Sequence, residues 1–159
     1  MTILGLDPGI DRLGWAVLKD TDEGLALVHY GLITTDKTKD STFRLGEIAI
    51  DLQQLILTHT PDIVFIEKLF FSINAKTAML IAEVRGAIKV TTALQNVEIR
   101  ELHPMQLKKK ILGSGKGTKK EIQGAMKSLF NIESKFKTDD VADAIAIAYI
   151  GMLEALGQI

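Results

Sequence analysis

The stretch TILGLDPGIDRLGWAVL, residues 2–18, predicts two antiparallel strands joined by a tight turn. Thr2–Asp7 and Arg12–Leu18 are apolar or alternate between apolar and polar residues, and Pro8-Gly9-Ile10-Asp11 has the composition of a turn. Ala26–Thr35 has the pattern of a third strand. The fold is therefore expected to begin with an antiparallel meander.

Helices and parallel strands are predicted to follow the meander. A 3.6-residue apolar period predicts a helix from Asp40 or Ser41 to about His59, and DIVFIE at Asp62–Glu67 is typical of a buried parallel strand. The further predicted elements are a helix from about Asn74 to Gln95, a strand at Val97–Leu102, and helices at Pro104 to about Leu112, Lys119–Leu129 and Asp139–Leu156. This order predicts an α/β fold with a mixed five-stranded sheet, three antiparallel strands plus two parallel, flanked by helices on both faces. A right-handed crossover would place the fourth strand beside the first.

Length and composition indicate an ordinary globular protein. The 159 residues suit a single domain over residues 1–159, with 47% hydrophobic and 25% charged residues. No stretch approaches the roughly 20 apolar residues of a membrane span, and no secretion signal is evident, so no membrane partner is expected. The absence of cysteine fits a reducing cytosol, and we expect a cytoplasmic protein.

Basic residues are concentrated in one part of the chain. Residues 100–137 contain ten Lys or Arg and three acids, a local balance of +7, whereas the whole chain has a net charge of −1. Such segregation indicates a basic face on a mildly acidic molecule, which is expected where a phosphate backbone binds. An ordinary solvated surface would have the same composition.

Four carboxylates carry the strongest chemical signal. Asp7 ends the first strand, Glu67 ends a later one, and Asp140 and Asp143 lie one helical turn apart near the C-terminus. Gathered in one cleft, these anions would repel one another unless cations bound between them. Oxygen ligands select hard ions such as Mg²⁺ or Mn²⁺, and two such ions serve in-line phosphodiester hydrolysis, which would leave 5′-phosphate and 3′-OH ends.

Each acid also has a structural alternative. Asp7 could simply start a turn, since Asp-Pro-Gly is a typical turn sequence. Asp139 or Asp140 could be a helix N-cap, and Asp143 could be a first-turn acid favoured by the helix dipole. These alternatives do not explain acids on several separate elements, and the metal site is the favoured interpretation.

The long helix from Asn74 to Gln95 is apolar around much of its circumference, which is more than packing on one sheet requires. A second buried face indicates a twofold partner, and we expect a homodimer.

Several motifs together resemble the RuvC-type Holliday-junction resolvases of the RNase H-like superfamily. They are ILGLDPG at Ile3–Gly9, IEKLFF followed by NAK at Ile66–Lys76, EVRGA at Glu83–Ala87, HPMQLKKKILGSGKG at His103–Gly117, KKEIQ at Lys119–Gln123 and DDVADAIAIA at Asp139–Ala148. The resemblance covers essentially the whole chain.

The resemblance implies a dimeric, Mg²⁺-dependent endonuclease that resolves four-way DNA junctions by paired symmetric nicks in recombination and repair. It implies that the metal-binding, catalytic acids are Asp7, Glu67, Asp140 and Asp143. It also implies a functional aromatic at Phe70 and basic residues near the site at Lys108 and Lys119. Lys116, in the glycine-rich loop, and Lys120 are further candidates for DNA contact. A branch-migration motor complex is a candidate partner.

Other functions remain open at this stage. Asp11 and Arg12 are charged where relatives usually have small or hydroxyl residues, which leaves the substrate range undecided. A diverged nuclease acting on other branched DNA or on hybrids, or a non-catalytic junction-binding protein, would share much of the pattern. An actin-like nucleotide binder normally needs a duplicated sheet, for which this chain is too short.

Overall fold

The fold is described from a computed structural model, which describes residues 1–69, 75–103, 109–113, 117–134, 136 and 138–159. The strands are β1 (Thr2–Asp7), β2 (Arg12–Thr21), β3 (Gly24–Thr34), β4 (Ile63–Glu67) and β5 (Glu98–Leu102). The helices are α1 (Ser41–His59), α2 (Ala75–Leu94), α3 (Lys119–Leu129) and α4 (Asp139–Ala155). Of the helix predicted from Pro104 to Leu112, residues 109–112 are helical and residues 104–108 lie outside the described part.

The five strands form one sheet in the order β3-β2-β1-β4-β5. β1 pairs with β2 antiparallel and with β4 parallel, and β5 is parallel to β4. The predicted mixed sheet and the predicted placement of the fourth strand beside the first are both confirmed. β2 runs three residues beyond the predicted Leu18, because its pairing with β3 continues to Thr21 and Gly24.

The two faces of the sheet bury different helices. Ile3 of β1 and Phe65 of β4 belong to the apolar cluster that α3 and α4 complete. Leu4 and Leu6 of β1 belong to the cluster on the other face, with α1 and α2. Successive strand residues point to opposite faces, so the side chain of Asp7 lies on the α4 face of β1. Glu67 lies on the same face of β4 by the same alternation.

A side-chain cap accounts for where α1 begins, whereas the N-cap residue of α4 makes no side-chain capping hydrogen bond. Asp40 caps α1, since its side chain accepts a hydrogen bond from the Thr42 amide at 2.9 Å. The N-cap of α4 is Thr138, whereas Asp139 and Asp140 lie in the first turn. The alternative that one of these two acids serves as the N-cap is therefore wrong. In the described residues, no helix is both long enough and apolar enough to cross a bilayer.

Candidate active site

The parallel pairing of β1 and β4 brings two of the candidate acids side by side. Leu6 pairs with Ile66 in the ladder, and Asp7 and Glu67 are the next residue of each strand. Both acids are partly buried at the carboxyl edge of the sheet. The topology of the sheet therefore sets the spacing of these two carboxylates.

Close glycine contacts set the approach of α4 to the same edge. A Cβ added to Gly5 would lie 2.4 Å from the amide nitrogen of Ala148, and one added to Gly14 would lie 2.1 Å from the carbonyl oxygen of Asp140. Gly14 is also the register partner of Asp7. The first turn of α4, with Asp140, thus packs against the backbone directly across from Asp7, and Asp143 follows three residues later on the same helix.

Asp7 is electrostatically coupled to the other three acids. Burial raises the pKa of Asp7 well above its ordinary value, and the negative charges of Asp143, Glu67 and Asp140 raise it further, against an opposing effect of Lys119. An acid that is shifted by all three partners shares one electrostatic neighbourhood with them. This is the arrangement in which a bound cation relieves repulsion.

Two basic side chains pair with Asp140 and Asp143 of α4. Arg12 Nε donates to Asp140 Oδ2 at 2.8 Å, and Lys119 Nζ donates to Asp143 Oδ2 at 2.8 Å. Burial works against the charged form of Lys119, but the hydrogen bond with Asp143 and the charges of Asp143 and Asp7 outweigh it and raise the lysine pKa.

Within the described residues, no three acidic or histidine side chains stand close enough together to hold a metal ion.

A capping box positions Lys119 at the start of α3. The Thr118 side chain accepts from the Glu121 amide, and Glu121 Oε2 accepts from the Thr118 amide at 2.6 Å. One turn further on, Gln123 Nε2 donates to Asp139 Oδ1 at 2.6 Å. Gln123 was not among the predicted site residues. Its signal in the sequence is its position four residues after Lys119, which puts both on one face of the helix.

Arg85 is a second residue that the sequence analysis did not assign to the site. Its side chain is 8% exposed on α2; it donates to the carbonyl oxygen of Glu67 and forms an ion pair with Glu101 at 2.9 Å. Lys89 shares Glu101 at 2.5 Å. A charged residue within the buried stripe formed by Val84 and Ile88 is the signal that could have identified it.

The remaining predicted residues fall into two groups. Lys120 is exposed on α3, beside Lys119. Phe70, Lys108 and Lys116 lie outside the described residues, so their predicted roles stay predictions.

The sheet order and the acids at the ends of β1 and β4, facing the first turn of α4, define an RNase H-like α/β domain. The family model for "Crossover junction endodeoxyribonuclease RuvC" matches residues 3–150. A protein of that name from Alkaliphilus metalliredigens is 41% identical over 148 residues, which cover 93% of this chain and 90% of the relative. One from Caldanaerobacter subterraneus subsp. tengcongensis is 39% identical over 162 residues, and the match covers 99% of this chain and 98% of the relative.

Among solved structures, Thermus thermophilus RuvC in complex with a Holliday junction substrate superposes with a TM-score of 0.89. The two proteins are 26% identical, and the match covers 99% of this chain and 96% of the other. The chain therefore belongs to the RuvC family of crossover junction endodeoxyribonucleases.

Proposed function

We propose that this protein resolves four-way DNA junctions by paired symmetric nicks, hydrolysing one phosphodiester in each of two opposed strands to 5′-phosphate and 3′-OH ends. The observation that carries the proposal is the placement of Asp7 and Glu67 at the adjoining ends of β1 and β4, with Asp140 packed against Gly14, the register partner of Asp7. Family membership supports the choice of substrate. The protein would act as a single nuclease domain in the cytoplasm, where it reaches chromosomal DNA.

The chemistry of the four acids fits hard divalent cations. All four offer carboxylate oxygens, the ligands that Mg²⁺ takes, and Mn²⁺ could substitute. We infer that these four acids would hold the metal, with two ions per site, after Asp140 and Asp143 leave their pairs with Arg12 and Lys119, since the described side chains do not yet form a group of three ligands. Divalent cations bound there would supply Lewis acidity for attack on the phosphorus and for the charge on the departing 3′ oxygen.

The protein's own groups would prepare this site in three ways. Asp7, coupled to all the other acids, is our candidate for the ligand shared between the ions. The Glu67 backbone is held by Arg85. Lys119, whose raised pKa keeps it charged at neutral pH, would offer its ammonium group to the scissile phosphate as negative charge develops.

DNA contact is assigned to the basic segment of residues 100–137. Lys120 is exposed beside Lys119, and Lys108 and Lys116 are proposed to contact the backbone on sequence grounds alone. Phe70, three residues after β4 ends at Glu67, is proposed to stack against bases unpaired at the branch point. Phe70→Ala should then slow cutting of intact junctions more than cutting of substrates that are already open.

A homodimer would supply two sites for two strands. On α2, Met79, Val90 and Leu94 are 68%, 61% and 73% exposed, and an apolar helix face of this kind suits a second copy. Val90→Asp should shift the protein from dimer to monomer in sedimentation velocity. Leu129→Asp is the matched control, because Leu129 is 47% exposed on α3, on the opposite face of the sheet.

A branch-migration motor complex is the further partner that we propose.

The decisive experiment compares a synthetic four-way junction, a linear duplex and an RNA–DNA hybrid, each with Mg²⁺, and maps the nicks. We expect symmetric incision of the junction alone. Asp7→Asn should bind the junction and leave it uncut. Equal cutting of the hybrid would favour a nuclease of broader range, and binding of the junction without cutting by the native protein would favour a non-catalytic junction binder.

A further inference from the structure

Arg12 is the first residue of β2, and it reaches across to a proposed metal ligand. Its Nε lies 2.8 Å from Asp140 Oδ2, although the two residues are 128 positions apart in sequence. The Arg12 side chain is 53% exposed and that of Asp140 is 25% exposed. The guanidinium group therefore neutralises Asp140 while much of the arginine remains accessible to solvent.

The acid next to Arg12 in sequence is already neutralised by other cations. Asp11 forms ion pairs with Arg44 at 2.5 Å and with Lys37 at 2.8 Å. Arg44 also donates to Thr35 Oγ1 at 2.8 Å. Because Asp11 has these two partners, the Arg12 pair with Asp140 is a separate interaction and can break without disturbing them.

The surroundings give the arginine another place to go. A cleft of about 400 Å³ opens beside the pair; its lining includes Arg12, Asp140, the turn at residues 8–11, and Leu80 and Ile81 of α2. Arg44 also lines this cleft and stays paired with Asp11, so a guanidinium group released from Asp140 moves toward solvent at the mouth of the cleft, without crossing the core. Arginine binds phosphate oxygens with the same planar donor geometry that it presents to carboxylates.

We propose that Arg12 is an internal counter-ion of Asp140, which divalent cations displace and which then binds the DNA backbone. This inference rests on the proposed function of the same site. A cation that takes Asp140 favours the released arginine, and so does a phosphate that binds Arg12. By linkage, each ligand then strengthens the binding of the other. Arg12 acts here as a positioning and DNA-binding residue.

The size of the effect follows from the exposure of the pair. Exposed arginine–carboxylate pairs change equilibria by about 1.4- to 5-fold. Removing Arg12 should therefore tighten divalent-cation binding to the DNA-free protein by about two- to fivefold. It should also weaken junction binding by a similar factor, but only when cations are present.

The test uses Arg12→Met, which keeps an unbranched side chain but removes the charge, and Arg12→Gln as a second variant. Lys39→Met is the matched control, because Lys39 pairs with Glu47 outside the basic segment, where the side chains are 48% and 29% exposed. Mn²⁺ binding without DNA is followed by electron paramagnetic resonance. Junction binding is followed by fluorescence anisotropy in EDTA and in Ca²⁺, with gels to check that the DNA stays intact. Melting in EDTA verifies that each variant is folded.

The expected result is tighter Mn²⁺ binding by both Arg12 variants and weaker junction binding by them in Ca²⁺ alone. Lys39→Met should leave both Mn²⁺ binding and junction binding unchanged. The salt slope of junction binding in Ca²⁺ should also fall by about one. Mn²⁺ affinity that is unchanged or weaker, or junction binding lost equally in EDTA, overturns the inference.

The Mn²⁺ measurement requires no cleavage, which keeps the two proposals separate. If the native protein fails to cut junctions while Arg12→Met still tightens Mn²⁺ binding, the proposed function fails and the competition stands. If the native protein cuts normally while Mn²⁺ affinity is unaffected, only the competition fails.

Discussion

Replacing Gly14 by alanine tests whether the contact between β2 and α4 sets the spacing of the acids. The new Cβ would lie 2.1 Å from the Asp140 carbonyl oxygen, and Cβ atoms essentially never approach other atoms closer than 3.0 Å. The first turn of α4 would therefore have to retreat from Asp7, and a misplacement of about 1 Å costs about 100-fold in rate. Overpacking of this kind also lowers the free energy of unfolding by about 1–3 kcal/mol.

The assay for Gly14→Ala is single-turnover nicking of a synthetic four-way junction, with urea unfolding measured in parallel. Gly46→Ala is the control, because Gly46 is exposed on α1 and an added Cβ there meets nothing within 4 Å. This control should cut normally and gain about 0.5–1 kcal/mol of stability, since alanine is the better helix former. Nicking by Gly14→Ala within a few-fold of native, with unchanged unfolding, would refute the reasoning.

Three further substitutions test the electrostatics and supports of the site. The raised pKa of Asp7 means that its contribution to stability is present below the ordinary carboxyl pKa and is lost as pH rises through the folded-state pKa. Asp7→Asn should therefore melt higher than native protein in EDTA at pH 8, and the difference should vanish toward pH 4 in calorimetry; a lower melting temperature at pH 8 contradicts this. Arg85→Met should lower the free energy of unfolding by about 1–3 kcal/mol in urea, because the Glu67 carbonyl loses its donor while Glu101 keeps Lys89; no loss would mean that the buried pair is unimportant. Thr118→Ala should cost about 1 kcal/mol of stability and slow nicking by loosening Lys119, and unchanged values for both would exclude the cap from that role.

The sheet and the acid positions could be predicted because they depend on local patterns. Alternation in β1 and the β-branched run of β4 identify strands, and a right-handed crossover leaves few ways to place them. The end of a strand then fixes where Asp7 and Glu67 lie. The N-cap of α4 was harder to place, since Thr138 and the two aspartates that follow it are all acceptable caps by residue type.

The supports of the site could not be predicted because they join residues that are distant in sequence. Arg12 and Asp140 are both charged, but many oppositely charged pairs are available in the chain, and only the packing of α4 selects this one. Arg85 acts partly on a backbone carbonyl, an acceptor that every residue has. Gln123 is a neutral helix residue whose role depends on the meeting of α3 and α4.

The division of β1 between two faces makes insertions and deletions in that strand a different kind of change from substitutions. Ile3, Gly5 and Asp7 share one face, and Leu4 and Leu6 fill the other. Loss of a single residue between positions 3 and 6 would exchange the two faces for part of the strand. The Asp7 carboxylate would then point toward α1 and α2, and a leucine would point toward α4, which packs too closely for any residue larger than Gly5. The length of this strand is therefore as strictly constrained as the identity of its last residue.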